Sequence, residues 1–261
     1  MLVAVTSYGL LASDPYRLSV EVTAQGRGQD LLTLLAVPAL VWSAARARAG
    51  SLRAHLLWLG IVLYLAYSYV TYAFSVPFND AFLGYVAVLG LSSYGLLNGL
   101  LGIDVDAVAP AFAATPRRVT AWSLALTGAA FGLLWLSDIL SAFPGGLPTN
   151  RFVYDLPNPI HVIDLAWLIP LVMATAVLLW REYPAGPVLA AVLLVKLLTL
   201  GLALLSMVVF MLAAGNGLES SDVPVVVLAV TMTVLATTLL AVGARRMRRV
   251  TGAWMRASRW R

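Results

Sequence analysis

The side chains best suited to chemistry are ionisable groups that lie within or beside long apolar stretches. Asp164 and His161 are one helical turn apart, so both can lie on one face of a helix. Asp138 and Asp30 fall near the ends of two other apolar stretches, and Asn79-Asp80 follows a third. A carboxylate beside an imidazole can relay protons or act as an acid and a base. Because ionisable groups at membrane depth are costly, we predict a functional acidic cluster from these residues.

The acids also have a purely structural interpretation. Asp30, Asp80, Asp164 and Asp222 each lie near the start of an apolar stretch, where a helix dipole favours an anion. Asp138 does not fit this interpretation, because it lies near the end of its stretch. It therefore requires a partner or water.

Lys196 is the only lysine in the chain, and it lies inside an apolar stretch. It could serve as a counter-ion, a substrate anchor or a Schiff-base amine. Alternatively, its long stem lets the amine reach the membrane interface. Microbial rhodopsins carry their lysine in the last helix, where this chain has none. Asp164 and Lys196 are expected at different depths, which favours a water-linked pair over a direct salt bridge.

A third group of candidates is polar and aromatic. Tyr64, Ser68 and Tyr72 recur at helical spacing in one stretch, and Asn98 lies deep in the next. They form either a pocket between two helices or ordinary packing contacts with an interfacial tyrosine belt. An interfacial belt does not account for Asn98, because this residue lies deep in its stretch.

No metal or other cofactor is expected. The chain has no cysteine, which excludes disulfides, thiolate catalysis and cysteine-ligated metals. Its two histidines, His55 and His161, do not form an HxxxH or HExxH motif.

The composition places these residues in a membrane protein. The chain of 261 residues is 61% hydrophobic and only 11% charged, with a mean hydropathy of +0.89. Soluble domains are about 45–50% apolar and about 25% charged. The predicted partner is therefore the lipid bilayer, and the net charge of +5 does not indicate nucleic acid. Oligomeric state is left open.

The apolar stretches predict an all-α, polytopic bundle of seven transmembrane helices. Residues 1–28 precede them as an outer interfacial segment, and residues 245–261 follow as a basic cytoplasmic tail that suits anionic inner-leaflet lipids. The transmembrane domain covers residues 29–244. Its predicted spans are 29–47, 54–76, 80–102, 119–142, 159–180, 187–213 and 223–244.

The arginines predict an orientation with the N-terminus outside and the C-terminus inside. Thirteen arginines then fall on the inner side, and only Arg17, Arg27 and Arg151 fall outside. This distribution follows the positive-inside rule, as in the inner membrane of a bacterium. Most acids, including Asp155 and Glu219, fall on the outer side.

The first and fifth spans share a pattern. Asp30-Leu31 with Pro38 and Trp42 parallels Asp164-Leu165 with Pro170 and Trp180, although the spacings differ. This pattern indicates either a 3+1+3 plan of parallel repeats, as in some transporters, or the chance alignment of apolar helices.

Two segments, YAFSVPFNDAFLGYVAVLGLSSYGL (72–96) and the stretch from GLPTN to NPIHVIDLAWLIP (146–170), resemble uncharacterised polytopic membrane proteins of bacteria. The resemblance implies a multi-pass fold. It carries over no activity and no catalytic residue.

Three functions remain open from the sequence. The first is a transporter-like or small-molecule-binding protein, which predicts a cavity near the midplane between the two halves. The second is an accessory or assembly subunit without a ligand. The third is an intramembrane enzyme acting on a lipid or isoprenoid, which predicts an apolar pocket that ends at an acid such as Asp164 or Asp138.

Overall fold

The computed structural model describes residues 1–148, 156–218, 222–247 and 254. Over these residues the chain is helical and contains no strand. Seven helices are long and apolar enough to cross a membrane, which confirms the predicted fold class. Arg151, Asp155, Glu219, Trp260 and the arginines beyond Arg246 lie outside the described residues.

The helices are numbered here in chain order. They are α1 (Leu2–Leu11), α2 (Val20–Arg48), α3 (Leu52–Ser75), α4 (Phe82–Leu101), α5 (Val105–Val108), α6 (Arg117–Ser141), α7 (Pro159–Trp180), α8 (Ala185–Ala213) and α9 (Val223–Arg246). A single 3₁₀ turn, Ala109–Phe112, follows α5.

The first long helix begins earlier than the predicted span. The Ser19 side chain accepts a hydrogen bond from the Val22 N–H at 3.3 Å, and Glu21 lies in the first turn. A capping hydroxyl and an early acid both favour a helix start. Helix α2 therefore runs through the boundary placed at residue 29, and α1 packs against it.

Helix α7 starts where its sequence predicts. The Asn158 side chain accepts from the Ile160 N–H at 2.9 Å, and Pro159 occupies the first helical position. Residues Asp164–Leu168 then form a π turn, in which the Ile169 N–H donates to the Asp164 carbonyl. Pro170 cannot donate a backbone hydrogen bond, so the regular pattern is already interrupted at this point.

Two helices form the centre of the bundle. In α3 and α8, 56% of the residues in the most apolar 18-residue segment are buried inside the protein, compared with 22% in α2, α4 and α9. Helix α3 packs against α2, α4 and α8, and α8 also packs against α2, α7 and α9. Helix α6 lies against α7. The buried polar residues of α3 and α8, such as Tyr67 and Lys196, are therefore surrounded by protein rather than by lipid.

The two ends of the bundle differ in charge. Helices α2, α4, α7 and α9 end where α3, α6 and α8 begin, and we call this the arginine end. Trp254 is buried there: its indole N–H donates to the Gly50 carbonyl at 2.8 Å, and its carbonyl accepts from the Asp104 N–H at 3.1 Å. This tail residue therefore packs on the bundle instead of facing lipid. The opposite end, where α3 and α6 finish, is the acidic end.

The contact between α2 and α8 requires a glycine. A Cβ atom on Gly28 would lie 2.6 Å from the Met207 Cα, and the Gly28 carbonyl accepts from the Ser206 hydroxyl at 2.7 Å. We expect Gly28→Val to lower the free energy of unfolding by about 1–3 kcal/mol, because the helices must separate. Thermal unfolding of the detergent-purified protein measures this loss. Gly90→Val is the matched control, since a Cβ on Gly90 meets nothing within 4 Å; equal losses would contradict the close-packing argument.

The predicted orientation can be tested because the native chain has no cysteine. Asp80 and Asp106 are both exposed and lie at the acidic end and the arginine end, respectively. In intact cells, we expect a membrane-impermeant maleimide to label Asp80→Cys directly and Asp106→Cys only after permeabilisation. The opposite labelling pattern would reverse the orientation.

Candidate functional site

Asp164 is held by hydrogen bonds from two other helices. The Tyr67 hydroxyl of α3 donates to Asp164 Oδ1 at 2.9 Å, and the Trp135 indole N–H of α6 donates to Oδ2 at 2.9 Å. Asp164 itself lies in the π turn of α7 and is only 4% exposed. Each carboxylate oxygen therefore has a donor, and the residue joins three helices.

Lys196 is the most unusual member of this site. Its side chain is 0% exposed, and its Nζ atom lies 3.8 Å from the centroid of the Tyr67 ring. Among the described residues, Nζ has no hydrogen-bond partner. An ammonium over an aromatic face gains a cation–π attraction. Tyr67 thus contacts the acid through its hydroxyl and the lysine through its ring, in place of a direct salt bridge.

His161 and Asp138 extend the site toward the acidic end. His161 Nε2 lies 3.7 Å from Asp138 Oδ2, within ion-pair range but too far for a hydrogen bond. The His161 ring centroid lies 4.7 Å from that of Trp135. Trp135 therefore contacts both His161 and Asp164. We call Asp164, Tyr67, Trp135, Lys196, His161 and Asp138 the Asp164 cluster.

Asp30 belongs to a different site from the other predicted acids. Its Oδ2 atom accepts a short hydrogen bond from the Tyr16 hydroxyl, and its Oδ1 accepts from the Tyr72 hydroxyl at 3.1 Å. A Cβ on Gly9 would lie 1.7 Å from Asp30 Oδ2, so α1 lies directly against this carboxylate. The acids predicted as one cluster are therefore divided between two locations.

Tyr16 keeps its proton at neutral pH. Its burial, followed by the negative charge of Asp30, raises the pKa of the hydroxyl above its ordinary value of 10.0. Tyr16 lies in the connection between α1 and α2, before the first span. It therefore remains a hydrogen-bond donor, and Asp30 is enclosed by donors rather than left open to a ligand.

The remaining polar candidates are distributed differently. The Tyr64 hydroxyl lies 3.0 Å from Thr33 Oγ1 and links α3 to α2. The rings of Tyr69, Tyr72 and Tyr85 pack together with centroid separations of 5.2 to 6.2 Å. Asn98 is exposed on α4, and within the described ranges no side-chain hydrogen bond joins it to either acid. Tyr64 and Tyr72 thus connect helices, whereas Asn98 faces outward.

Neither Trp135 nor Tyr67 is among the candidates selected from the sequence. Tyr67 is one helical turn from Tyr64, so helical spacing alone did not separate them. The structure does: Tyr67 contacts α7 and α8, whereas Tyr64 and Tyr72 bond to α2. The available signal was that the hydroxyl groups of α3, which include Tyr69, extend over more than one face of the helix. A helix of that kind is surrounded by protein, so functional residues can lie on any of its faces.

The space around these residues is limited. A cavity of about 20 Å³ lies beside Asp164, between Phe131, Leu168 and Met232, and is the size of roughly one water molecule. A larger cavity of about 410 Å³ lies at the arginine end. Within the described residues, no group of three or more His, Cys, Asp or Glu could hold a metal ion.

Comparisons with known proteins identify no relative: no family model, curated protein or solved structure matches the chain. The resemblance to uncharacterised bacterial membrane proteins therefore stays a prediction. The seven apolar helices are consistent with it.

The Tyr67 hydroxyl should stabilise the fold, whereas that of Tyr69 should not. We expect Tyr67→Phe to lower the free energy of unfolding by about 1–3 kcal/mol, because Asp164 Oδ1 loses its donor. Tyr69→Phe is the matched control, since the Tyr69 hydroxyl is buried without a partner among the described residues. Thermal unfolding of both variants gives the comparison. A loss in Tyr69→Phe as large as that in Tyr67→Phe would show that the hydrogen bond to Asp164 is not the cause.

Proposed function

We propose that the protein is transporter-like: it binds a small molecule in the membrane and couples its movement to a proton held in the Asp164 cluster. The observation that carries this proposal is the completely buried Lys196, whose Nζ atom lacks a hydrogen-bond partner among the described residues. Tyr67 links this amine to the carboxylate of Asp164. The proposal makes these three residues the proton-handling unit.

The free-energy cost of burying the Lys196 amine supports a role for this residue beyond packing. A buried amine without a hydrogen bond is destabilising, and replacing such groups with apolar residues is often neutral or stabilising. An apolar side chain such as methionine would fill the same place without this cost. Ionisable residues inside transmembrane segments commonly mark proton or substrate pathways.

The packing of the helices supports a two-unit plan. In the first unit, α3 packs against α2 and α4, and in the second, α8 packs against α7 and α9. The two middle helices also pack against each other. Asp30 and Asp164 lie on corresponding helices, α2 and α7. These correspondences favour a 3+1+3 parallel repeat, with α6 as the linking helix.

The larger cavity does not match the pocket expected of an enzyme. A lipid- or isoprenoid-processing enzyme was expected to have an apolar pocket ending at an acid. Arg46, Arg53 and Arg117 line the cavity of about 410 Å³, and no described acid does. The cavity lies between helices of the two units, but at the arginine end rather than near the midplane, so it is not the cavity predicted for a transporter.

Cellular placement forms part of the same proposal. We place the protein in the inner membrane of a bacterium, with the arginine end toward the cytoplasm and the tail near anionic lipids. The arginine distribution along the sequence supports this placement.

Proteoliposomes that contain the pH dye pyranine test the coupling. A panel of small zwitterionic and neutral metabolites is added outside, under an imposed pH gradient. We expect at least one compound to cause proton movement that is abolished in Lys196→Met and Asp164→Asn. Asn98→Ala is the control variant, because Asn98 is exposed on α4, and it should behave like the native protein.

The result separates the competing functions. Equal proton movement in native protein and Lys196→Met would remove Lys196 from the mechanism. If no compound elicits movement, and native mass spectrometry of the gently released protein finds a stoichiometric protein partner, the accessory function is favoured instead.

A further inference from the structure

The cavity at the arginine end has an apolar interior and a cationic rim. Its volume of about 410 Å³ lies within the range of about 300–1,000 Å³ that is typical of small-molecule sites. Leu56, Leu57, Leu179, Leu194 and Leu239 contribute to its walls. This lining suits a hydrocarbon chain better than a free hydrophilic solute.

Three arginines supply the charge of the cavity. Arg46, Arg53 and Arg117 line it from α2, α3 and α6, and the described lining contains no aspartate or glutamate to neutralise them. Arg53 also donates a short hydrogen bond to the Met247 carbonyl. The Arg117 Nε atom is buried and has no hydrogen-bond partner among the described residues. A buried donor without an acceptor is uncommon and costly, so an acceptor is expected beside it.

Helix ends of both kinds border the cavity: α2, α7 and α9 end there, through Arg46, Leu179 and Gly243, so their dipoles oppose those of the helices that begin there. Helices α3, α6 and α8 all begin beside the cavity. Their N-terminal ends contribute lining residues in pairs: Ser51 and Ala54 for α3, Arg117 and Thr120 for α6, and Pro187 and Ala190 for α8. None of the three has an acid in its first turn. Helix α6 even begins with Arg117, where a cation opposes the helix dipole. A bound anion would relieve the unfavourable position of Arg117 at the start of α6.

We infer that this cavity binds a phosphate-headed lipid, with its phosphate at Arg46, Arg53 and Arg117 and its hydrocarbon chain between the leucines. Phosphate presents several oxygens, which matches the fork of donors on each guanidinium. The site differs from the Asp164 cluster in both residues and location. It therefore does not depend on the proposed transport function.

The headgroup is tested with radiolabelled oleoyl-lysophosphatidic acid and the full-length protein in a neutral detergent. We expect saturable binding, with a Kd on the order of tenfold higher in Arg117→Gln. Arg118→Gln is the matched control, because Arg118 is exposed on the same helix, carries the same charge and does not line the cavity. If both variants weaken lysophosphatidic acid binding equally, the cause is the general positive charge of the surface, and the proposed site is wrong.

Two competitors distinguish the ligand's source. Unlabelled lysophosphatidylcholine, whose phosphate is masked by choline, should compete on the order of tenfold less well than lysophosphatidic acid. Equal competition would overturn the recognition of an exposed phosphate. Inorganic phosphate should not compete at lipid concentrations that saturate the site; effective competition would make the site one for free phosphate and overturn the lipid assignment.

The position of the lipid's hydrocarbon chain is tested by filling the cavity with a larger side chain. Gly243 lines it, and a Cβ atom there meets nothing within 4 Å, so Gly243→Phe can occupy the space without a backbone clash. We expect this variant to weaken lysophosphatidic acid binding on the order of tenfold with all three arginines intact. Gly90→Phe is the control, because Gly90 is equally open but lies on α4, away from the cavity lining. Unchanged binding in Gly243→Phe, with a native-like unfolding temperature, would overturn the location.

Discussion

The Asp164 cluster is organised by a single tyrosine at the centre of the bundle. Tyr67 lies on α3, donates its hydroxyl to Asp164 of α7, and presents its ring to Lys196 of α8. Because the hydrocarbon core offers no water, a polar group there must find its partner within the protein. The Tyr67 side chain therefore contacts both Asp164 and Lys196 and lies between them. The arrangement requires α3 and α8 to be the central helices, and the π turn of α7 places Asp164 beside them.

The two buried acids illustrate opposite uses of the same physical chemistry. Asp30 receives hydroxyl hydrogen bonds from Tyr16 and Tyr72 and is closed by α1, so it is a satisfied packing element. Asp164 is also satisfied, but its neighbours Lys196 and His161 have buried nitrogen atoms without hydrogen-bond partners in the described part of the chain. Satisfied buried networks make a core rigid, whereas unsatisfied ones mark places where protons, water or ligands enter. Within the described residues, the hydroxyl of Tyr69, which stacks on Tyr72 beside Asp30, also lacks a hydrogen-bond partner. The nitrogens of Lys196 and His161 that lack one in that part of the chain lie beside Asp164, however, and this is the reason for placing function there.

The bundle is also polarised along its length. Acid and tyrosine hydrogen bonds lie toward one end, and an apolar cavity with three arginines lies at the other. Leu194 and Val195 line that cavity and directly precede Lys196 on α8. The central helix therefore carries both the cavity wall and the buried amine.

The sequence by itself determined the membrane class, the seven spans and the individual candidates Asp164, His161 and Lys196. These features depend on composition, helical period and span length, which are local properties. Only the tertiary structure decided which candidates meet. Asp30 is separated from Asp164, Asn98 faces outward, and Trp135 and Tyr67 enter the site from helices distant in sequence. Helical periodicity gives the face of a side chain relative to its own helix. The partner opposite that face depends on the order in which helices pack, and a pattern of apolar residues does not contain that order.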